Sequence, residues 1–308
     1  MKPVPLVVAF LLSVCAAIAQ PQPPAPQQKP GQTDVTIKVG VERVPVLFTA
    51  VDRKDRYITD LGKEDVQVYD NKKKQEVLSF SQETDLPLRV GLLIDTSNSI
   101  RDRFKFEQEA AIDFLRAIIR PGKDQVFLMG FDTNTEVVQD FTDNLELLTK
   151  AIRDMRPGGG TALYDAVFLS ARDKLMTASA EGGVRRTIIL ISDGEDNQSR
   201  AAREEALAMA QRAEVTLFCI GTNISGTEQP GDLVLKRFAT ETGGRAFFPF
   251  RLEDMSTSFQ NISRELRSQY ALFFRPNTPR DSTFHTIEVV SMRKGVKVRA
   301  RKGYFAKP

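Results

Sequence analysis

Between residues 89 and 250, short apolar runs take turns with longer amphipathic stretches, and this alternation narrows the fold more than any other feature. The runs at 89–95, 125–131, 186–192 and 215–221 are dense in Val, Ile, Leu and Phe, as expected of strands covered on both faces. Helical spacing fills the intervals and predicts helices over 102–119, 144–154, 163–178, 200–212 and 231–242. In the first of these, Phe104, Ala111, Phe114, Leu115 and Ile118 share a face, and Pro121-Gly122 ends it. A short edge strand at 135–139 and another strand at 245–248 complete the pattern. The implied fold is α/β: a doubly wound, mostly parallel, Rossmann-like sheet with helices on both faces.

The flanks have a different period. Residues 33–87 alternate polar and apolar positions at Val35, Ile37 and Val39, then at Val44, Val46 and Phe48. Short strands follow at 66–69 and 77–80, set off by turns at Asp52–Asp55 and at Asp70-Asn71-Lys72. After a helix over 252–269, strands return at Tyr270–Phe274, His285–Met292 and Val296–Ala300. Each flank is short for a sheet standing alone. The expectation is therefore one small β domain built from both terminal segments (33–87 and 266–308), with the α/β domain (88–265) inserted between them.

The first residues read as an export signal. Met1-Lys2 is followed by apolar Val4–Ala19 and ends in Ala17-Ile18-Ala19, the pattern of a signal peptide over 1–19. An uncleaved anchor and lipid attachment at Cys15 are the alternatives. Residues 20–32 form a Pro/Gln-rich linker. Cleavage would remove Lys2 and no acid, taking the net charge from +3 to +2. Near-neutrality argues against bulk binding to nucleic acid. It would also leave Cys219 as the sole cysteine, in the apolar run 215–220, where a core thiol is expected. A chain exported without a disulfide fits a bacterial periplasm or cell envelope.

Three segments carry the functional signal. The run Gly91–Ile94 ends in Asp95-Thr96-Ser97-Asn98-Ser99, with oxygen donors at alternate positions. Gly158-Gly159-Gly160-Thr161 sets a hydroxyl on a loop that can approach closely. Ile188–Ile191 leads into Ser192-Asp193-Gly194. Open α/β sheets bind ligands beyond the carboxyl ends of their strands, where the strand order reverses. If strands 89–95 and 186–192 flank that point, all three segments converge on one crevice. Two carboxylates and neutral hydroxyls suit Mg²⁺, Mn²⁺ or Ca²⁺ better than zinc or copper. Singly, the same residues could serve as helix caps or plain turns.

Together they resemble the von Willebrand factor type A domain. Asp95-x-Ser97-x-Ser99, Thr161 and Asp193 match the five positions of that family's metal-ion-dependent adhesion site, in order. The resemblance covers residues 88–265, and the flanks look like the wider bacterial envelope proteins related to it. Asn98 stands where a glycine is common and alters no ligand. The resemblance implies a metal site at Asp95, Ser97, Ser99, Thr161 and Asp193, some contacts running through water. It also implies a protein partner that supplies an Asp or Glu to the metal.

Catalysis finds less support. The only histidine, His285, lies outside the α/β region and is expected on a strand face. Metal-dependent phosphoryl transfer through Asp95 is the enzymatic alternative, but serine holds position 97 where a second carboxylate would be wanted. Anionic-surface binding is a further alternative: residues 291–308 carry Arg293, Lys294, Lys297, Arg299, Arg301, Lys302 and Lys307 with no acid. A half-buried strand with a solvated basic face is the preferred reading of them.

Overall fold

The apolar runs become strands buried on both sides, and the flanks become antiparallel sheets. The computed structural model describes residues 43–82, 86–101, 103–179, 183–223, 225–251, 254–276 and 282–306. The expected signal peptide, the linker and the alternation at Val35, Ile37 and Val39 lie outside these residues. Strands β1 (Val44–Val51), β2 (Val66–Asp70), β3 (Lys73–Gln75) and β4 (Val77–Gln82) come first. Next are β5 (Leu88–Asp95), α1 (Phe104–Ile118), β6 (Gln125–Phe131) and β7 (Thr135–Thr142). Helices α2 (Leu145–Asp154) and α3 (Leu163–Leu169) precede β8 (Arg185–Ser192) and α4 (Arg203–Arg212). The α/β part closes with β9 (Val215–Gly221), α5 (Pro230–Thr242), β10 (Ala246–Phe247) and α6 (Asp254–Leu266). Strands β11 (Tyr270–Phe274), β12 (Phe284–Ser291), β13 (Lys297–Ala300) and β14 (Gly303–Phe305) end the chain.

The central sheet has the order β10-β9-β8-β5-β6-β7. All neighbours are parallel except the edge strand β7. From β5 the chain moves outward to β6 and β7, then returns to β8 on the other side of β5. The order therefore reverses between β5 and β8, which pair in parallel from Leu88↔Arg185 to Ile94↔Ile191. Side chains alternate across the sheet. Val90, Leu92 and Ile94 of β5 join Ile189, Ile191, Phe218 and Ile220 in a layer under α1, α2 and α6. Leu93, Ile188, Leu190, Leu217 and Cys219 face α3, α4 and α5. Cys219 is thus a buried core thiol, and burial pushes its pKa far up.

The expected helix over 163–178 is interrupted. After Leu169 the chain widens into a π-helical turn, Ser170–Leu175, with Met176 N donating to Ala171 O. The wider turn keeps Ala171 and Leu175 both in the apolar layer. The edge strand runs to Thr142, beyond the expected 139, because register shifts along β6 let pairing resume past Gln139.

The two flanks interleave. One antiparallel sheet has the order β13-β1-β11-β4 and the other β14-β12-β2-β3, so amino- and carboxyl-terminal strands sit side by side in both. They share one apolar layer of Val46, Phe48, Val68, Tyr270, Leu272 and Phe274 among others, with Phe48 stacked on Tyr270 at 5.2 Å. Two short strands had no sequence signature. Lys73-Lys74-Gln75 lacks alternation and pairs with β2 because Asn71 (φ 47°) and Lys72 (φ 65°) form the tight turn. Gly303–Phe305 pairs with β12.

Several charges expected on a solvated basic face have internal partners instead. Arg293 meets Asp60 at 2.9 Å and Asp65 at 2.8 Å. Arg299 meets buried Glu265 of α6 at 2.9 Å, and Arg301 is buried with Nη2 donating to Pro45 O at 2.6 Å. His285 does lie on a strand, but its ring points inward. Its Nδ1 is 3.1 Å from Asp70 Oδ1, and Tyr304 OH donates to Asp70 Oδ2 at 3.2 Å.

Candidate metal centre

The crevice forms where β5 and β8 end. Asp95 is the last residue of β5 and fully buried. Its Oδ1 accepts from Ser97 N at 2.9 Å and its Oδ2 from Ser192 Oγ at 2.7 Å. The first bond turns the chain back over the carboxylate and carries Ser97 and Ser99 to the same side. Their hydroxyls lie 2.9 Å apart, and Ser99 Oγ donates to Asp193 Oδ2 at 2.9 Å. A hydroxyl has one proton. Since Ser99 spends its own on Asp193, Ser97 is the donor to Ser99. Asp193 Oδ1 accepts from Glu195 N at 3.1 Å.

The glycine-rich loop closes the third side. Gly158 N donates to Thr96 O at 2.6 Å, and Asn98 N to Gly159 O at 3.3 Å, so the loop lies directly against the Asp95–Ser99 turn. Thr161 is buried there, its N–H held by Asn197 Oδ1 at 2.9 Å and its carbonyl accepting from Asn197 N and Gln198 N. Behind Asp193 the left-handed Gly194 (φ 81°) meets Gly231 O, where an added Cβ would lie 2.2 Å from that oxygen. That close approach fixes the turn carrying Asp193 against the start of α5.

The structure thus links Asp95, Ser97, Ser99 and Asp193 through hydrogen bonds and sets Thr161 on the adjoining loop. None of the three hydroxyl residues caps a helix. The turn Asn98–Ile100, α1 and α3 start at Ser97, Arg103 and Ala162 without side-chain cap bonds. Asp196 and Ser199 instead accept from Tyr164 N and Asp165 N at the start of α3. Burial pushes the Asp95 carboxyl up to about 6, against the hydrogen bonds from Ser192 and Ser97 that hold it down. Ser99 is exposed and Asp193 half-buried, so the cluster has a dry floor and an open rim.

Sequence reasoning missed the supports. Ser192 and Asn197 position Asp95 and Thr161, and only the position of Ser192 as the last residue of its strand hinted at this. It also missed Glu107 in the first turn of α1, buried with neither carboxylate oxygen partnered. Among the described residues, no three His, Cys, Asp or Glu side chains gather as a metal site by themselves. Hydroxyls must therefore supply part of any shell. The donor set fits a hard cation: all donors are oxygen, two are carboxylates, and an orphaned buried carboxylate lies nearby.

The von Willebrand factor type A domain model matches residues 90–265. The chain belongs to that family. It is 27% identical over 202 residues to a UPF0353 protein of Mycolicibacterium vanbaalenii, a match spanning 58% of this chain and 60% of that one. Among solved structures it resembles proximal thread matrix protein 1 of the mussel byssus, at a TM-score of 0.52 and 17% identity over 63% of this chain and 49% of that one. A second structure of the byssus protein, with zinc in its metal-ion-dependent adhesion motif, gives 0.50 and 18% over 61% and 50%. At such identities the likeness concerns the fold. The chain spans about half the length of the byssus protein and three-fifths of the mycobacterial relative.

Proposed function

We propose that this von Willebrand factor type A domain binds a protein partner through a divalent cation held by Asp95, Ser97, Ser99, Thr161 and Asp193. The observation that carries the reading is the hydrogen-bonded chain from Asp95 through Ser97 and Ser99 to Asp193, buried at Asp95 and open to solvent at Ser99. A cation seated there would polarise whatever oxygen reaches it from solvent. With two carboxylates in the set, the other three donors are neutral hydroxyls, which leaves room on the ion for an Asp or Glu from the partner. Mg²⁺ is the proposed ion, with Mn²⁺ or Ca²⁺ as substitutes. The zinc in the byssus protein's motif supports a divalent site in this fold.

The proposed role is binding and not catalysis. Position 97 is a hydroxyl bonded to another hydroxyl, and His285 is enclosed in the β sandwich beside Asp70 and Tyr304. The signal-like leader and the linker support an exported, envelope-associated protein. The test is capture of envelope proteins on the immobilised chain with Mg²⁺, with EDTA, and with Asp95→Ala. Partners released by EDTA and absent from Asp95→Ala are expected; capture unaffected by both would remove the cation from the function.

A further inference from the structure

Glu107 poses a problem that the five-residue site does not solve. It lies on the sheet-facing side of α1, sharing that face with Phe104, Ala110 and Ala111, and is fully buried. Neither of its carboxylate oxygens has a hydrogen-bond partner. The i,i+4 neighbour that could pair with it, Arg103, keeps its own Nη1 buried and unpartnered, so that ion pair is not made. A buried carboxylate without partners is costly, more so than a neutral polar group, and such groups mark an absent water or ion.

The position of Glu107 tells which. Helix α1 starts nine residues after β5 ends and runs back along the sheet, so its first turns lie at the same edge as Asp95 and Asp193. Burial is the main influence on the Glu107 carboxyl. Arg103 opposes it, and the charges of both Asp95 and Asp193 reach it. Were Asp95, Asp193 and Glu107 all ionised, they would exceed Arg103 by two negative charges, the charge of one divalent cation.

We propose that Glu107 is an outer member of the metal centre, accepting hydrogen bonds from water bound to the cation. This rests on the metal reading above. The cation's water would give both Glu107 oxygens donors, and Glu107 would in turn orient that water and add negative charge behind the ion. Partners of this kind typically contribute about 10- to 100-fold to metal affinity. Glu107 is a positioning residue here, acting on the ion through water.

The experiment is calorimetric titration of Mg²⁺ into the metal-free full chain, with thermal unfolding of the same samples before metal is added. Wild type, Asp95→Ala, Glu107→Gln, Glu107→Leu and Arg103→Gln are compared. Wild type should bind Mg²⁺ and Asp95→Ala should not. Both Glu107 variants should bind about 10- to 100-fold more weakly while melting, without metal, at or above the wild-type temperature. Glu107→Gln keeps the shape, so the test survives if Glu107→Leu misfolds. Wild-type affinity in the Glu107 variants overturns the inference and leaves the metal reading standing. The inference also falls if metal-free stability drops equally in Glu107→Gln and Arg103→Gln with Mg²⁺ affinity unchanged, for Glu107 is then only a helix ion-pair residue. Absence of Mg²⁺ binding by wild type itself overturns the metal reading and this inference with it.

Discussion

Two buried acidic clusters lie in this molecule and are built in opposite ways. In the β sandwich, Asp70 is enclosed with His285 and Tyr304, and each oxygen of its carboxylate has a donor within 3.2 Å. At the carboxyl edge of the central sheet, Asp95 is equally buried, yet its cluster opens to solvent at Ser99 and leaves Glu107 with no donor at all. A satisfied cluster ties strands together; here it joins β2, β12 and β14 from both ends of the chain. An incompletely satisfied one stores a demand for something the chain does not contain. Buried polar groups are usually paired, so the unpaired set is the better indication of function.

Substitutions can break this comparison. The largest effect is expected at Asp95→Ala, which should lower Mg²⁺ affinity more than ~100-fold, beyond the range usual for an outer partner, while circular dichroism stays native. Asp70→Ala should do the reverse. It removes the carboxylate that the His285 ring and the Tyr304 hydroxyl share and should cost about 2–4 kcal/mol in urea unfolding, with Mg²⁺ affinity of the folded chain retained. Loss of affinity there would mean that the two clusters are not independent.

Glu107 gives the next effect, read against pH. Burial raises its carboxyl from 4.5 to about 8. The folded chain therefore holds this proton more tightly than the unfolded chain. The associated stability is present below pH 4.5 and is lost as the pH rises through about 8. Metal-free wild type should melt at falling temperature over that window, and Glu107→Gln should flatten the slope; equal slopes would show that the carboxyl does not titrate there. The α/β and β parts supply a smaller contrast. Arg299→Ala leaves buried Glu265 without its 2.9 Å partner and should cost about 2 kcal/mol. Lys150→Ala breaks a 2.5 Å pair on the exposed side of α2 and should cost under ~0.5 kcal/mol by the same assay.

Much of the candidate centre was legible because its signals are local. Asp95, Ser97 and Ser99 follow a strand directly, and a strand's end is readable from its apolar run. Thr161 announced itself by its glycines and Asp193 by the run before it. The sites that escaped depend on contacts far along the chain. Ser192 matters because it lies beside Asp95 across 97 residues, and Asn197 because it meets Thr161 across 36. Glu107 resembled any charged residue on an amphipathic helix until burial singled it out. Lys73–Gln75 became a strand because a turn folds it onto β2, against its weak propensity for one.

The sequence by itself determined the alternation of strands and helices, the doubly wound sheet and the residue types that gather at its edge. Periodicity and turn chemistry are properties of neighbouring residues, so they can be read one segment at a time. Only the tertiary structure decided that β5 and β8 lie side by side where the strand order reverses, and that the two flanks share sheets. It also decided which buried carboxylate found donors and which did not. Those outcomes depend on desolvation, which is fixed by everything packed around a group and not by its place in the chain.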